Sequence, residues 1–349
     1  MGNDRLNKTS LLKQPLVQVA VFCIVMIGLQ LLSTAGIVPN SVIYALGNTL
    51  IYAIVAIGFC LLLGYAGLAS LGTAGFIGVG TYIAYYMMGQ LELPFIVAFL
   101  ATIIVSVILG VVVGFISLRI EGIYLAIMTL GLSETIRNLL IALKPTIKLE
   151  LDKIKLFGTK VGDVGSYYLI LAVFAVLMVL VANLINSPTG RAVIAMKNST
   201  SAAQAMGISL MKYRLLAFVI ATVFASIGGV LYMFHVRTIT TATSSLLTLT
   251  TSLNILGAVI IGGAKSLWGS TFGIFIIYGI QSIFLSRIDF FNKNPAFITM
   301  ITGLLIILVV MFFPGGFAQI VLEIKTRIKG RRANKMLKQN IVKEGENNG

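Results

Sequence analysis

A chain of 349 residues that is 58% hydrophobic and only 11% charged lies far outside the composition of soluble globular domains. Its formal charge of +15 does not point to nucleic acid, because the basic residues stand at the ends of apolar runs and in the C-terminal tail. Membrane topology and anionic lipid headgroups account for that placement, so the composition predicts an all-α polytopic membrane protein with membrane lipids among its partners.

Residues 1–15 carry Arg5, Lys8 and Lys13 against Asp4 and read as a cytoplasmic N-terminal segment. The apolar run that follows, 16–32, is longer than the core of a signal peptide and is succeeded at once by further runs, which predicts an uncleaved first helix. Runs of roughly 20 apolar residues, the length that crosses the hydrocarbon core, recur near 42–63, 71–89, 94–117, 123–143, 167–186, 214–234, 244–262, 270–286 and 296–313. About ten transmembrane helices are therefore expected in a domain covering 16–318. All seven prolines fall at or beyond the ends of these runs, as a residue that breaks helix interiors should. The segments 71–89 and 244–262 are rich in Gly, Ser or Thr and could each be broken or re-entrant, lining a cavity where freed backbone groups are tolerated.

With the N-terminus inside, six crossings bring the chain back inside at the polar stretch 187–213, and four more leave a basic tail, 319–349, inside as well. Three basic residues in the N-terminal segment, Arg119, four around the polar stretch, Lys265 and eight in the tail agree with that orientation. The exception is the loop 144–166, whose five lysines are partly offset by Glu150, Asp152 and Asp163; it reads as a small solvated external element.

Cys23 and Cys60 sit in apolar runs and behave as small hydrophobes, so neither a disulfide nor a metal is expected. The glycines from Gly64 to Gly80 lack the Lys-Ser/Thr end of a phosphate loop and suit close helix packing. Gly262-Gly263-Ala264-Lys265 reads as a turn, with Trp268 as an interfacial anchor. Inside a predicted span, Glu134 and Arg137 are three residues apart and can pair; intramembrane charge is expensive, so they are candidates for a substrate pathway or gate, or else for an ion pair that locks two helices. His235, the lone histidine, reads as an interfacial surface residue with no assigned role. No nucleophile, base and orienting acid come together in the pattern, and no cluster has metal-ligand spacing, so neither an enzyme nor a cofactor is expected.

The stretch 187–213 is basic through Arg191, Lys197 and Lys212 and holds no acidic residue. Ser201 and Gln204 have capping-box spacing, which predicts a short helix from Ala202 ended by a left-handed Gly207, with Ala202, Ala203 and Met206 as its small or pliant face. So short a helix needs a partner groove to order it.

The run Ser201-Ala202-Ala203-Gln204-Ala205-Met206-Gly207 resembles the EAA-x-x-x-G signature of ABC importer permeases, with serine where that signature has glutamate. GYAGLASLGTAGFIGVGTY, LRIEGIYLAIMTLGLSETIR, GAVIIGGAKSLWGS and LLIILVVMFFPGGFA, spread over residues 64–318, resemble segments of the branched-chain amino acid permease family, LivM type. The resemblance implies a permease in the cell membrane of a prokaryote, working with a second homologous permease, two cytoplasmic ATP-binding subunits and an extracytoplasmic substrate-binding protein. It implies that Arg191, Ser201, Ala202, Ala203, Met206, Gly207 and Lys212 dock on an ATPase. It extends to permeases for urea, and a secondary transporter is the alternative from a different class.

Overall fold

A computed structural model describes residues 15–120, 122–144, 146–149, 155–156, 159–160, 162–240, 245–283, 295–312 and 316–317. The N-terminal segment before Pro15 and the basic tail 319–349 lie outside the described residues, as do Pro145 and Pro314.

The chain is predominantly helical. Among the described residues six helices are long and apolar enough to cross a membrane: α1 (Pro15–Thr34), α2 (Asn40–Phe59, prolonged by a π-helical turn Cys60–Tyr65), α4 (Phe95–Ser117), α5 (Ile123–Leu143), α6 (Asp163–Asn186) and α9 (Leu210–Val236). Between them stand α3 (Thr73–Ala84, with its own π-helical turn Tyr85–Gln90), α7 (Pro188–Asn198) and α8 (Thr200–Ala205); after them come α10 (Leu249–Gly262), α11 (Leu267–Ile274), which runs through a π-helical turn into α12 (Ile280–Ile283), and α13 (Pro295–Phe312). Of the ten predicted spans, those near 71–89, 244–262, 270–286 and 296–313 thus correspond to shorter apolar helices.

Proline sets several boundaries. Pro15, Pro188 and Pro295 are first residues of helices, where the missing N–H would be unsatisfied anyway, and Pro39 and Pro94 occupy the extended cap positions of α2 and α4. The segment 71–89 is not broken: α3 and its π-helical turn run without a gap from Thr73 to Gln90. Its helix starts only at Thr73, within the bundle, and side chains from other helices take up its free amides: Thr129 Oγ1 accepts from Leu71 N at 3.0 Å and Ser252 Oγ from Ala74 N at 3.0 Å. The segment 244–262 is a single 3₁₀ turn, Ser245–Leu247, followed by the fourteen residues of α10.

The core lies where α9 packs against α2, α3 and α4. Small residues allow this closeness: a Cβ on Gly80 would run into the Ser226 carbonyl of α9, and one on Gly229 into the Ile77 carbonyl of α3. The glycine-rich stretch is therefore a packing surface. By contrast α1, α4 and α5 bury only a minor part of their apolar length within this chain.

One end of the bundle carries strands that the sequence reading did not foresee. β1 (Thr146–Lys148) pairs antiparallel with β4 (Thr238–Thr240), Ile147 opposite Ile239 with both side chains buried, and β2 (Lys155–Leu156) pairs with β3 (Thr159–Lys160). Here Lys144 Nζ donates to the Tyr85 hydroxyl, and Arg237 meets Asp163 at 2.5 Å. At the opposite end α7, α8, the Gly263–Ser266 turn and the end of α2 gather together: Cys60 Sγ donates to the Ala264 carbonyl at 3.1 Å and the Tyr65 hydroxyl to the Lys265 carbonyl at 2.9 Å.

Candidate functional site

The end that holds α7 and α8 has its geometry dictated by short-range capping. Ser187 accepts from Gly190 N and precedes Pro188, which starts α7; Val193 and Met196 then turn inward and are buried. The next cap is Ser199, extended at φ −157° and ψ 111°, whose Oγ accepts from Ala202 N at 3.2 Å. The predicted capping box is thereby corrected: α8 begins at Thr200, two residues before the expected Ala202, and Ser201 lies within it rather than capping it. The far end matches expectation. Gly207 has φ +78°, its N–H donates to the Gln204 carbonyl at 2.9 Å and Ile208 N to the Ala203 carbonyl at 2.9 Å, the two bonds of a Schellman motif.

This register sorts the predicted docking residues. Ser201, Ala202, Met206 and Gly207 are exposed, Met206 to 82%, and so are Arg191 and Lys212. Ala203 is 3% exposed and turned toward the chain's own body, so its side chain is no part of the exposed face. Arg191 Nη1 donates to the Asn186 carbonyl at 3.2 Å, which ties the start of α7 to the end of α6.

Lys197 does something that its place in a basic loop did not reveal. Its Nζ donates to the Gly64 carbonyl, with the Leu63 carbonyl 3.5 Å away, so it caps the otherwise unpaired carbonyls at the end of the α2 π-helical turn. Gly67, at φ +73°, lets the chain turn away beneath the Lys197 stem, whose Cγ would lie 3.1 Å from a Cβ there. Burial, and then the charge of neighbouring Lys265, hold the Lys197 ammonium below the usual lysine range. A continuous set of contacts thus runs from α7 through Lys197 to the end of α2, and from there through Tyr65 to the Gly263–Ser266 turn.

A second feature lies on α5. Arg137 Nη1 meets Glu134 Oε2 at 3.1 Å, the expected pair, with the side chains 24% and 39% exposed. Gly131, Thr135 and Asn138 are exposed beside them, and positions 131, 134, 135 and 138 fall on one helix face. An apolar span that presents a carboxylate, a hydroxyl and a carboxamide outward cannot be fully bathed by lipid tails.

His235 also departs from expectation. Rather than a surface residue it is 3% exposed, stacked on Tyr44 with ring centroids 4.5 Å apart, and bonded on both sides: Nε2 lies 3.2 Å from the Tyr44 carbonyl and Nδ1 3.0 Å from Ser166 Oγ. Its partners lie 69 and 191 positions away, so no local pattern could have shown it. Among the described residues no group of three His, Cys, Asp or Glu side chains could hold a metal ion.

The sequence model of the family described as branched-chain amino acid transport system / permease component matches residues 41–310, which contain all but the first residue of α2, the whole of α3 to α12 and most of α13. The chain belongs to that family. Two relatives are each 28% identical over 291 residues, covering 75% of this chain: the high-affinity branched-chain amino acid transport system permease proteins LivM of Salmonella typhimurium and of Escherichia coli. The match spans 66% of each relative's length, just under two thirds. No solved structure matches the chain.

Proposed function

We propose that this permease-family chain is the membrane-spanning subunit of an ABC importer for branched-chain amino acids, coupling ATP hydrolysis by partner subunits to substrate passage. The observation that carries the reading is the exposed end of α8, where Ala202, Met206 and the left-handed Gly207 project from a one-turn helix that the chain itself leaves half covered. Small and pliant residues there permit close approach of an ATPase groove. Family membership and the two LivM relatives favour the amino acid substrate.

Under this reading the end bearing α7 and α8 faces the cytoplasm of the cell in whose plasma membrane the protein sits, with both termini on that side, in accord with the basic residues Arg191, Lys197, Lys212, Arg214 and Lys265. The strand end faces an extracytoplasmic binding protein. A shift of α8 on its ATPase is passed through α7 and the Lys197 bond to the end of α2, a nearly wholly buried helix at the centre of the bundle. The α5 face with Glu134, Thr135 and Asn138 meets the second permease subunit and lines the passage, the Glu134–Arg137 pair opening and closing as a gate. Like the paired carboxylate, the hydroxyl and carboxamide give a polar wall that a zwitterion can follow across the bilayer.

The test is reconstitution of the chain with its candidate partner permease, ATPases and binding protein in liposomes. Leucine, isoleucine or valine should stimulate ATP hydrolysis and accumulate inside. Uptake that ignores ATP and follows a proton or sodium gradient would overturn the reading in favour of a secondary transporter.

A further inference from the structure

A cavity of about 290 Å³ opens at the strand end, bounded by α1, α2, α6 and the last residues of α9. Its wall includes Gln30, Asn40, Tyr44, Asp163, Tyr167 and His235. The size stands at the small end of ligand pockets and exceeds roughly ninefold the volume of one liquid water.

The hydrogen-bond inventory of this wall leaves buried acceptors open. The Tyr44 carbonyl can only accept, so His235 Nε2 carries a proton and spends it there, while Nδ1 is engaged with Ser166. The Tyr167 hydroxyl donates to the Met26 carbonyl at 3.1 Å, and Arg237, which is not among the lining residues, donates through Nη2 to Asp163 Oδ1 while its Nε is buried without a hydrogen-bond partner. Acceptors remain. Gln30 is 3% exposed and its Oε1 is buried with no hydrogen-bond partner, a costly state for an amide oxygen at this depth. Asp163, with 72% of its side chain exposed, has a second carboxylate oxygen, and the rings of Tyr44 and Tyr167 add aromatic faces.

We propose that this cavity binds a small solute through a primary ammonium group. Such a group brings three donors and no acceptor, which suits an orphaned carboxamide oxygen and a carboxylate, and a cation is favoured beside aromatic rings. A carboxylate solute gains nothing from the Gln30 oxygen, and Asp163 repels it. The site is formed within one chain, away from the α5 face and from α8, and stands whether or not the transport reading holds.

The experiment uses the purified full-length chain in lipid nanodiscs, with n-butylammonium, n-butyramide and n-butyrate as probes in saturation-transfer NMR titrations. n-Butylammonium should bind at least tenfold more tightly than the amide, and butyrate should not bind. Gln30→Leu removes the orphaned acceptor without leaving another, so it should weaken n-butylammonium at least tenfold while the melting temperature holds or rises. As an independent readout, Ile43→Cys in the cavity wall should react with a cationic methanethiosulfonate and be protected by n-butylammonium but not by butyrate; it decides the matter alone if Gln30→Leu does not fold. Equal binding of amide or butyrate, unchanged affinity in Gln30→Leu, or a cavity that takes up water and none of the probes would overturn the proposal.

Discussion

Two substitutions three residues apart on α8 separate docking from folding. Met206 is 82% exposed, so Met206→Glu should change the stability of the chain by no more than about 0.5 kcal/mol, as surface substitutions do. If the same side chain is buried on an ATPase, removing it forfeits roughly 1.5–3 kcal/mol of apolar burial, which is roughly a 10- to 150-fold loss of affinity before the charge is counted. Ala203 is 3% exposed, and a carboxylate forced into that space costs several kcal/mol, a large share of the roughly 5–15 kcal/mol that holds a domain together. Membrane abundance, melting temperature and ATPase co-purification should therefore split: Met206→Glu reaches the membrane normally and loses its ATPases, whereas Ala203→Glu loses abundance first. Met206→Glu with full co-purification and uptake would refute the assignment of α8 as the docking element, and normal abundance of Ala203→Glu would refute its inward register.

On α5, Glu134→Gln removes the ion pair between Glu134 and Arg137 and should cost roughly 1–3 kcal/mol, less than the roughly 3–5 kcal/mol of a fully buried pair because both side chains are partly exposed. Changing both residues to leucine should recover part of the stability measured by thermal melting; if uptake stays lost while stability returns, the pair acts in the passage, and if both return, it only locks helices. Gly80→Ala should lower the melting temperature through a clash with the Ser226 carbonyl worth roughly 1–3 kcal/mol or more, while Gly131→Ala, with open space around it, should leave the temperature unchanged or slightly higher. Equal effects would show that α3 and α9 are not as close as described. For orientation, after Cys23 and Cys60 are replaced by serine, Ser199→Cys should be shielded from an impermeant thiol reagent applied outside intact cells and Lys155→Cys should react; labelling at 199 would invert the proposed topology.

Much of the architecture is written locally in the chain. Apolar length predicts the six long helices, and Pro39, Pro94, Pro188 and Pro295 mark where helices begin, because a fixed φ and an absent N–H act on the residue that carries them. Gly207 is legible for the same reason: a left-handed helix end excludes most other residues. The pairing of Glu134 with Arg137 needs only one turn of one helix. At α8 the capping residue is Ser199 rather than Ser201. Ser199 and Ser201 offer overlapping solutions of similar local merit, and the outcome accompanies the inward turn of Ala203, a matter of packing rather than propensity.

What tertiary structure alone decided lies between residues far apart. Lys197 finds the Gly64 carbonyl across 133 positions, Tyr65 finds Lys265 across 200, and His235 is enclosed by Tyr44 and Ser166. The pairing of β1 with β4 joins two loops that the sequence separates by four helices, α6 to α9. Patterns of period and capping describe a segment's own preferences, whereas these contacts exist only because α9, once formed, packs against α2, α3 and α4 and brings both ends of the bundle together. Sequence therefore determined the six long apolar helices and several of their boundaries, and packing determined which polar atoms are satisfied, which stay exposed on α5 and α8, and which enclose the cavity at Gln30, because satisfaction of a buried group depends on neighbours that no local rule can name.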